Sequence, residues 1–200
     1  MRRAILAGFA IFAAPALAHA QDATRQNALV APRMTIDMGF GAGSPSFATT
    51  MLSDGAYRVS GASLGLAHDT SALFSASMHT YPFAFRHLGF LATVEMLLMS
   101  GPVSGKDGNG PAYYSVMLGP EAQARFGSFV VRAAALVGWR DLSYGRYDAL
   151  DWRVGGRAQV DYLFGGHPNS LGLTMGVFGG VDALPGLGWT AGATLSYAIF

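Results

Sequence analysis

The 200-residue chain contains no cysteine, so neither a disulfide framework nor a thiolate metal site holds it together. Charged residues make up only 12% of it, and they form no basic stripe that would track a nucleic acid. After the first 20 residues, no run approaches the ~20 consecutive apolar residues of a membrane-spanning helix. Yet 51% of the residues are hydrophobic. Phosphate-cradling loops and zinc-ligand spacings are also missing. A chain this apolar, but never continuously so, has to place its apolar residues at alternate positions.

Three consecutive segments between Tyr113 and Phe164 do so. In the first, Tyr114, Val116, Leu118, Pro120, Ala122, Ala124 and Phe126 alternate with residues that include Glu121, Gln123 and Arg125. In the second, Phe129, Val131, Ala133, Ala135, Val137 and Trp139 alternate with residues that include Arg132 and Arg140. The third sets Trp152, Val154, Gly156, Ala158, Val160, Tyr162 and Phe164 against Arg153, Arg157, Gln159 and Asp161. One face is apolar with aromatics at its ends, and the other carries charges in mid-strand, which the core of a water-soluble sandwich would not tolerate. Apolar outside and polar inside is the pattern of an antiparallel, up-and-down transmembrane β-barrel. Gly127-Ser128 closes a tight hairpin that pairs Phe126 with Phe129 and Gln123 with Arg132.

The N-terminus reads as a secretory signal over residues 1–20, with Arg2 and Arg3, an apolar run and the small-x-small site Ala18-His19-Ala20. Of the 13 basic residues, those two arginines would leave with it; 11 bases against 12 acids then give the remainder a net charge of −1. Residues 21–32 are polar and aperiodic and read as a periplasmic lead-in; residues 33–200 form the barrel.

Further strands follow the same period. Met34, Ile36, Met38 and Phe40 point outward with Asp37 inward, and residues 46–52 and 57–67 give weaker candidates. Ser71, Ser75, Ser77 and His79 face inward, as do Thr93 and Glu95 in the strand after the aromatic connection 81–85. Strands over 170–181 and 188–200 complete the wall. Counting every candidate favours ten strands; dropping both 33–41 and 46–52 leaves eight. The longer connections, 100–111, 140–151 and 182–187, fall at one end and the short ones at the other, which predicts an outer and a periplasmic end. Trp139, Trp152 and Trp189 gather at the outer end, while Phe126, Phe129, Tyr162, Phe164 and Tyr197 gather at the inner one, as two interfacial girdles.

On these patterns residues 33–200 resemble the small outer-membrane β-barrels of Gram-negative bacteria, similar in plan to the OmpA-type transmembrane domains. The resemblance implies a place in the bacterial outer membrane, contact with its lipid and lipopolysaccharide, recognition by the barrel-assembly machinery, a monomer and no cofactor. A mark of that class is a terminal aromatic with aromatic or apolar residues at alternate positions before it. Phe200 matches, whereas Tyr197 and Ile199 lie on the other parity, which a terminal bulge or a frayed last residue would explain.

The inward residues Glu95, Glu121, Gln123, Arg125, Arg132, Arg153, Arg157 and Asp161 form the candidate site. The favoured reading is an internal ion-pair network filling a narrow lumen, because buried charges need partners. This gives a barrel with a structural or surface-interaction role. A narrow pore lined by the same charges is the first alternative, with Glu95 and Glu121 as a further acid/base pairing. A lipid-modifying enzyme built on Ser77 and His79 is the second, although two residues along a strand span about 7 Å, too far for a direct hydrogen bond. The expected outer loop with Asp141, Asp148, Asp151, Tyr144 and Tyr147 lacks the spacing of a dedicated calcium site, and no metal is assigned to it. Arg140 and Arg146 there are placed to meet lipid phosphates.

Overall fold

The computed structural model describes residues 30–44, 50–64, 70–84, 86–98, 112–164, 171–184 and 186–200. Ten strands are present: β1 (Met34–Ser44), β2 (Met51–Asp54), β3 (Tyr57–Ser60), β4 (Ser71–Thr80), β5 (Leu88–Leu98), β6 (Ala112–Phe126), β7 (Phe129–Tyr144), β8 (Tyr147–Phe164), β9 (Leu171–Leu184) and β10 (Gly188–Ile199). Eight of them close a ring in the order β1, β4, β5, β6, β7, β8, β9, β10, with β10 antiparallel to β1. The wall therefore has no open edge among these strands.

The two strands outside the ring are β2 and β3, a hairpin joined to β8 at Ser53 and Asp148. Ten strands are thus present among the described residues, but the barrel itself has eight rather than the favoured ten, and they are not the eight left by dropping 33–41 and 46–52. Segment 33–41 is β1, paired on both sides with β4 and β10. Length explains the difference. Four residues reach only ~13 Å, about half an apolar band of ~25 Å, whereas the 11 residues of β1 cross it even when tilted.

Alternation holds round the ring. On β7 every residue from Phe129 to Val137 at odd numbers is exposed and every even one is buried. Ile36, Met38, Phe40, Phe90, Leu118, Val177 and Leu195 are all at least half exposed, so the outer surface is an apolar belt far beyond the patches a water-soluble monomer shows. Trp139 pairs with Trp152 at one end. At the other, the Phe129 and Tyr162 rings meet edge to face at 5.3 Å.

Both ends of the chain's barrel lie together, since Met34 pairs with Ile199; this is the terminal end, and the opposite one the loop end. Gly127 supplies φ = +61° at the β6–β7 turn, where Phe126 faces Phe129. At the loop end the expected 140–151 loop is instead a ladder: Arg140 pairs with Asp151 and the strands continue to Tyr144 opposite Tyr147. Gly145, also at φ = +61°, makes the two-residue turn that permits this. The connections 99–111 and 165–170, the segment 45–49 and the signal-peptide reading of 1–20 lie outside the described residues. So does the lead-in, apart from residues 30–32.

Candidate functional site

The lumen is stacked in layers. Nearest the terminal end, Val130, Leu163, Ala198 and Phe200 form an apolar cluster. Phe200 keeps the regular alternation of β10, with Tyr197 and Ile199 outward and Ala198 and Phe200 buried, so no bulge or fraying is involved.

Above that cluster lies the first polar network. The His79 ring sits between two carboxylates, with Nε2 2.8 Å from Asp37 and Nδ1 2.9 Å from Glu121. Tyr81 Oη donates to Glu121 at 2.5 Å. Burial first and the neighbouring Glu121 second push this phenol well above its usual range, so it remains a donor. From Asp37 the network continues through Gln159, whose amide donates to Asp37 at 2.6 Å and to Asp161 at 3.0 Å. Arg132 pairs with Asp161 and donates to Thr35 at 2.9 Å.

A mid-lumen apolar cluster of Leu91, Met117, Ala134 and Leu136 follows. Beside it Arg157 bridges the two polar zones: it reaches Gln159 at 3.3 Å and Glu95 at 3.8 Å, with its guanidinium 4.0 Å from the centre of the Phe178 ring. In the second network Arg153 pairs with Glu95, donates to Asp182 at 2.8 Å and reaches Ser115 at 2.6 Å. A void of about 10 Å³ lies among Glu95, Met117, Leu136, Arg153, Arg157 and Asp182, at the threshold for a single water.

The loop end is closed by a second apolar plug. Leu52, from the β2–β3 hairpin, packs with Leu73, Leu97, Tyr113 and Leu142, and Val59 and Leu64 lie against them. Arg140 is buried there, bonded to Thr50 and 3.3 Å from Asp151.

Of the residues expected in the lumenal network, Glu95, Glu121, Arg132, Arg153, Arg157 and Asp161 are in it. Glu95 and Glu121 belong to separate networks and are not an acid pair. Gln123 faces Arg132 in register but spends its amide on the Pro32 and Arg86 carbonyls, each at 2.8 Å. Arg125 is no lumen residue: it lies half-exposed at the terminal mouth, donating to the Val30 carbonyl at 2.6 Å. Arg140 is turned inward, away from any lipid phosphate, because it lies on the buried parity of β7.

Ser77 bonds to Thr93 at 2.9 Å, and both nitrogens of His79 are engaged by carboxylates, so the two do not form a nucleophile–base pair. Among the described residues no group of three or more His, Cys, Asp or Glu side chains is arranged to hold a metal ion. Sequence reasoning left Asp37, His79, Tyr81 and Asp182 out of the network. Parity marks the first two as inward, and Asp182, expected in a loop, is still part of β9, opposite Gly155 and diagonal to Arg153 on the neighbouring strand.

No protein-family model and no curated protein matches the chain. The chain is similar to several solved structures. Neisserial surface protein A is 10% identical, with a TM-score of 0.49 over 84% of this chain and 97% of its own. The attachment invasion locus protein Ail of Yersinia pestis is 11% identical, with a TM-score of 0.41 over 86% and 100%. OprG from Pseudomonas aeruginosa is 12% identical, with a TM-score of 0.44 over 84% and 93%.

Proposed function

We propose that this protein is a sealed barrel of the bacterial outer membrane, a structural or surface-interaction element that conducts no solute. The observation that carries this reading is the filled lumen. His79 and Asp161 are 0% exposed and Asp37 and Arg132 1%, and apolar plugs stand at both ends of the stack. Water-lined pore walls would leave such side chains accessible. With no path through the barrel, its activity falls to what it presents. The loop end, oriented outward, carries the exposed Tyr57 and Arg58 of the β2–β3 hairpin and the exposed Arg146 at the β7–β8 tip, 3.1 Å from Asp54. Of the two arginines expected to meet lipid phosphates, Arg146 keeps that role, as a contact for phosphates of lipopolysaccharide. The terminal end faces the periplasm, where the barrel-assembly machinery would meet the β10 strand.

The test is single-channel recording of the refolded chain in a planar bilayer, with heat-dependent gel mobility to establish that a barrel formed. Silence from a folded barrel is expected. Discrete ion-selective steps would overturn the sealed reading in favour of a narrow pore.

A further inference from the structure

Residues 30–33 do not hang free of the barrel. They cross its terminal mouth, and three consecutive carbonyls are each gripped by a side chain from another part of the wall. Arg125 donates to Val30 at 2.6 Å, Arg86 to Ala31 at 3.0 Å and Gln123 to Pro32 at 2.8 Å. The next residue is held by backbone on both sides: Arg33 N–H donates to Ile199 at 2.7 Å, and its carbonyl accepts from Tyr81 at 2.7 Å.

The grip is specific in a second way. Arg86 has φ = +48°, the one non-glycine residue with positive φ among those described, a conformation that L-residues rarely adopt. That geometry lets one residue act twice, since its side chain holds Ala31 while its own carbonyl accepts from Gln123 at 2.8 Å. Arg125 also lies over the Phe200 ring at 5.5 Å, so a single side chain ties the strap to the apolar cluster filling the rest of the mouth.

The strap is held by three side-chain donors and two backbone hydrogen bonds, and it meets the network at Tyr81, whose N–H donates to Arg33 and whose hydroxyl donates to Glu121. From this arrangement we infer that residues 30–33 are a releasable strap over the terminal-end side of the packed Glu121–His79–Asp37 network. Closed, it keeps the Glu121–His79–Asp37 chain dry. Released, it admits water from the terminal end, while the mid-lumen cluster and the loop-end plug still block passage. The inference rests on the sealed reading only for what lies beyond that network, and the conductance test above probes that part separately.

The absence of cysteine makes the test clean. Single cysteines are placed at Ala31 on the strap, at the buried lumenal Ser77 and at the exposed turn residue Ser128 as the reference. Each is reacted in detergent micelles, where both ends are open, with a charged methanethiosulfonate. In the otherwise unchanged chain, A31C and S77C should react at least 100-fold more slowly than S128C. Adding R86A and Q123A should bring A31C to within a few-fold of the reference and speed S77C at least 10-fold, with heat-dependent mobility retained. The inference is overturned if A31C is fast from the start, if the double change leaves it slow, or if A31C is freed while S77C stays protected. Should R86A/Q123A not fold, R125A with A31C and S77C gives the same three readings with two of the three ties intact, and a 10-fold acceleration at both sites is then the expected result.

Discussion

Replacing Arg132 by alanine tests whether the lumenal charges hold the barrel together as a network. Arg132 is 1% exposed and its partner Asp161 is fully buried. Removing one member of such a pair leaves an uncompensated buried charge, which costs ~3–5 kcal/mol. Asp161 keeps two other donors, Gln159 at 3.0 Å and Thr194 at 3.2 Å, so the lower part of that range applies, about 3 kcal/mol. With a denaturant slope of ~2 kcal/mol per molar urea, the unfolding midpoint should fall by roughly 1.5 M. Equilibrium unfolding in lipid vesicles, followed by the fluorescence of Trp139, Trp152 and Trp189, reads this directly. The paired change R132M/D161L removes both charges and restores apolar volume, and should return to within ~1 kcal/mol of the parent. Gln159 then still has Asp37 to bond. A midpoint for R132A equal to that of the parent, or a double variant as weak as the single one, would refute the reasoning.

Two further substitutions probe the wall. Ala133 lies in mid-β7 on the exposed outer face, so Ala133→Arg should cost ~2–4 kcal/mol in vesicles, and Ala133→Leu little; equal effects in the same urea titration would argue against a lipid-facing position. A Cβ added at Gly138 would stand 1.9 Å from the Val116 carbonyl oxygen and 2.7 Å from the Met117 Cα, backbone atoms that cannot rotate away. Gly138→Ala should therefore cost ~1–3 kcal/mol and weaken the β6–β7 pairing, seen as faster amide exchange at Val116 and Met117; unchanged exchange would show that the strands part without penalty.

The parity of the strands was legible because a period of two has one meaning on a wall with lipid outside: Phe129 to Trp139 and Trp152 to Phe164 could face only one way. Diagonal partners on neighbouring strands were equally accessible. Arg132 faces Gln159, and Asp161 is the next inward residue beside it. Contacts across the lumen were not, since Arg153 on β8 meets Glu95 on β5, and His79 on β4 meets Glu121 on β6, only after the ring has closed and brought distant strands face to face. Arg125 misled because parity alone says inward. Its height, at the last turn of β6, decides that it meets the mouth rather than the lumen. The β2–β3 hairpin was misjudged for a related reason: alternating residues signal a strand, but only length separates a spanning strand from one that folds over the end.

The layering explains why so many charges persist in a lumen that apolar side chains could fill. Buried pairs contribute little net stability compared with well-packed apolar replacements, so stability alone does not account for them. Register does. A one-residue slip of β8 against its neighbours would turn Arg153, Arg157 and Asp161 outward into lipid, and the two arginines alone would cost about 4–8 kcal/mol at ~2–4 each. A purely apolar lumen would carry no such penalty, because an apolar residue is accepted on either face. The His79 position adds a second constraint. Carboxylate oxygens at 2.8 and 2.9 Å accept on both sides, so the arrangement is satisfied by a ring that donates from both nitrogens, and this fixes β1, β4 and β6 at one common height. The networks thus select one closure of the ring among the several that the apolar outer face alone would allow.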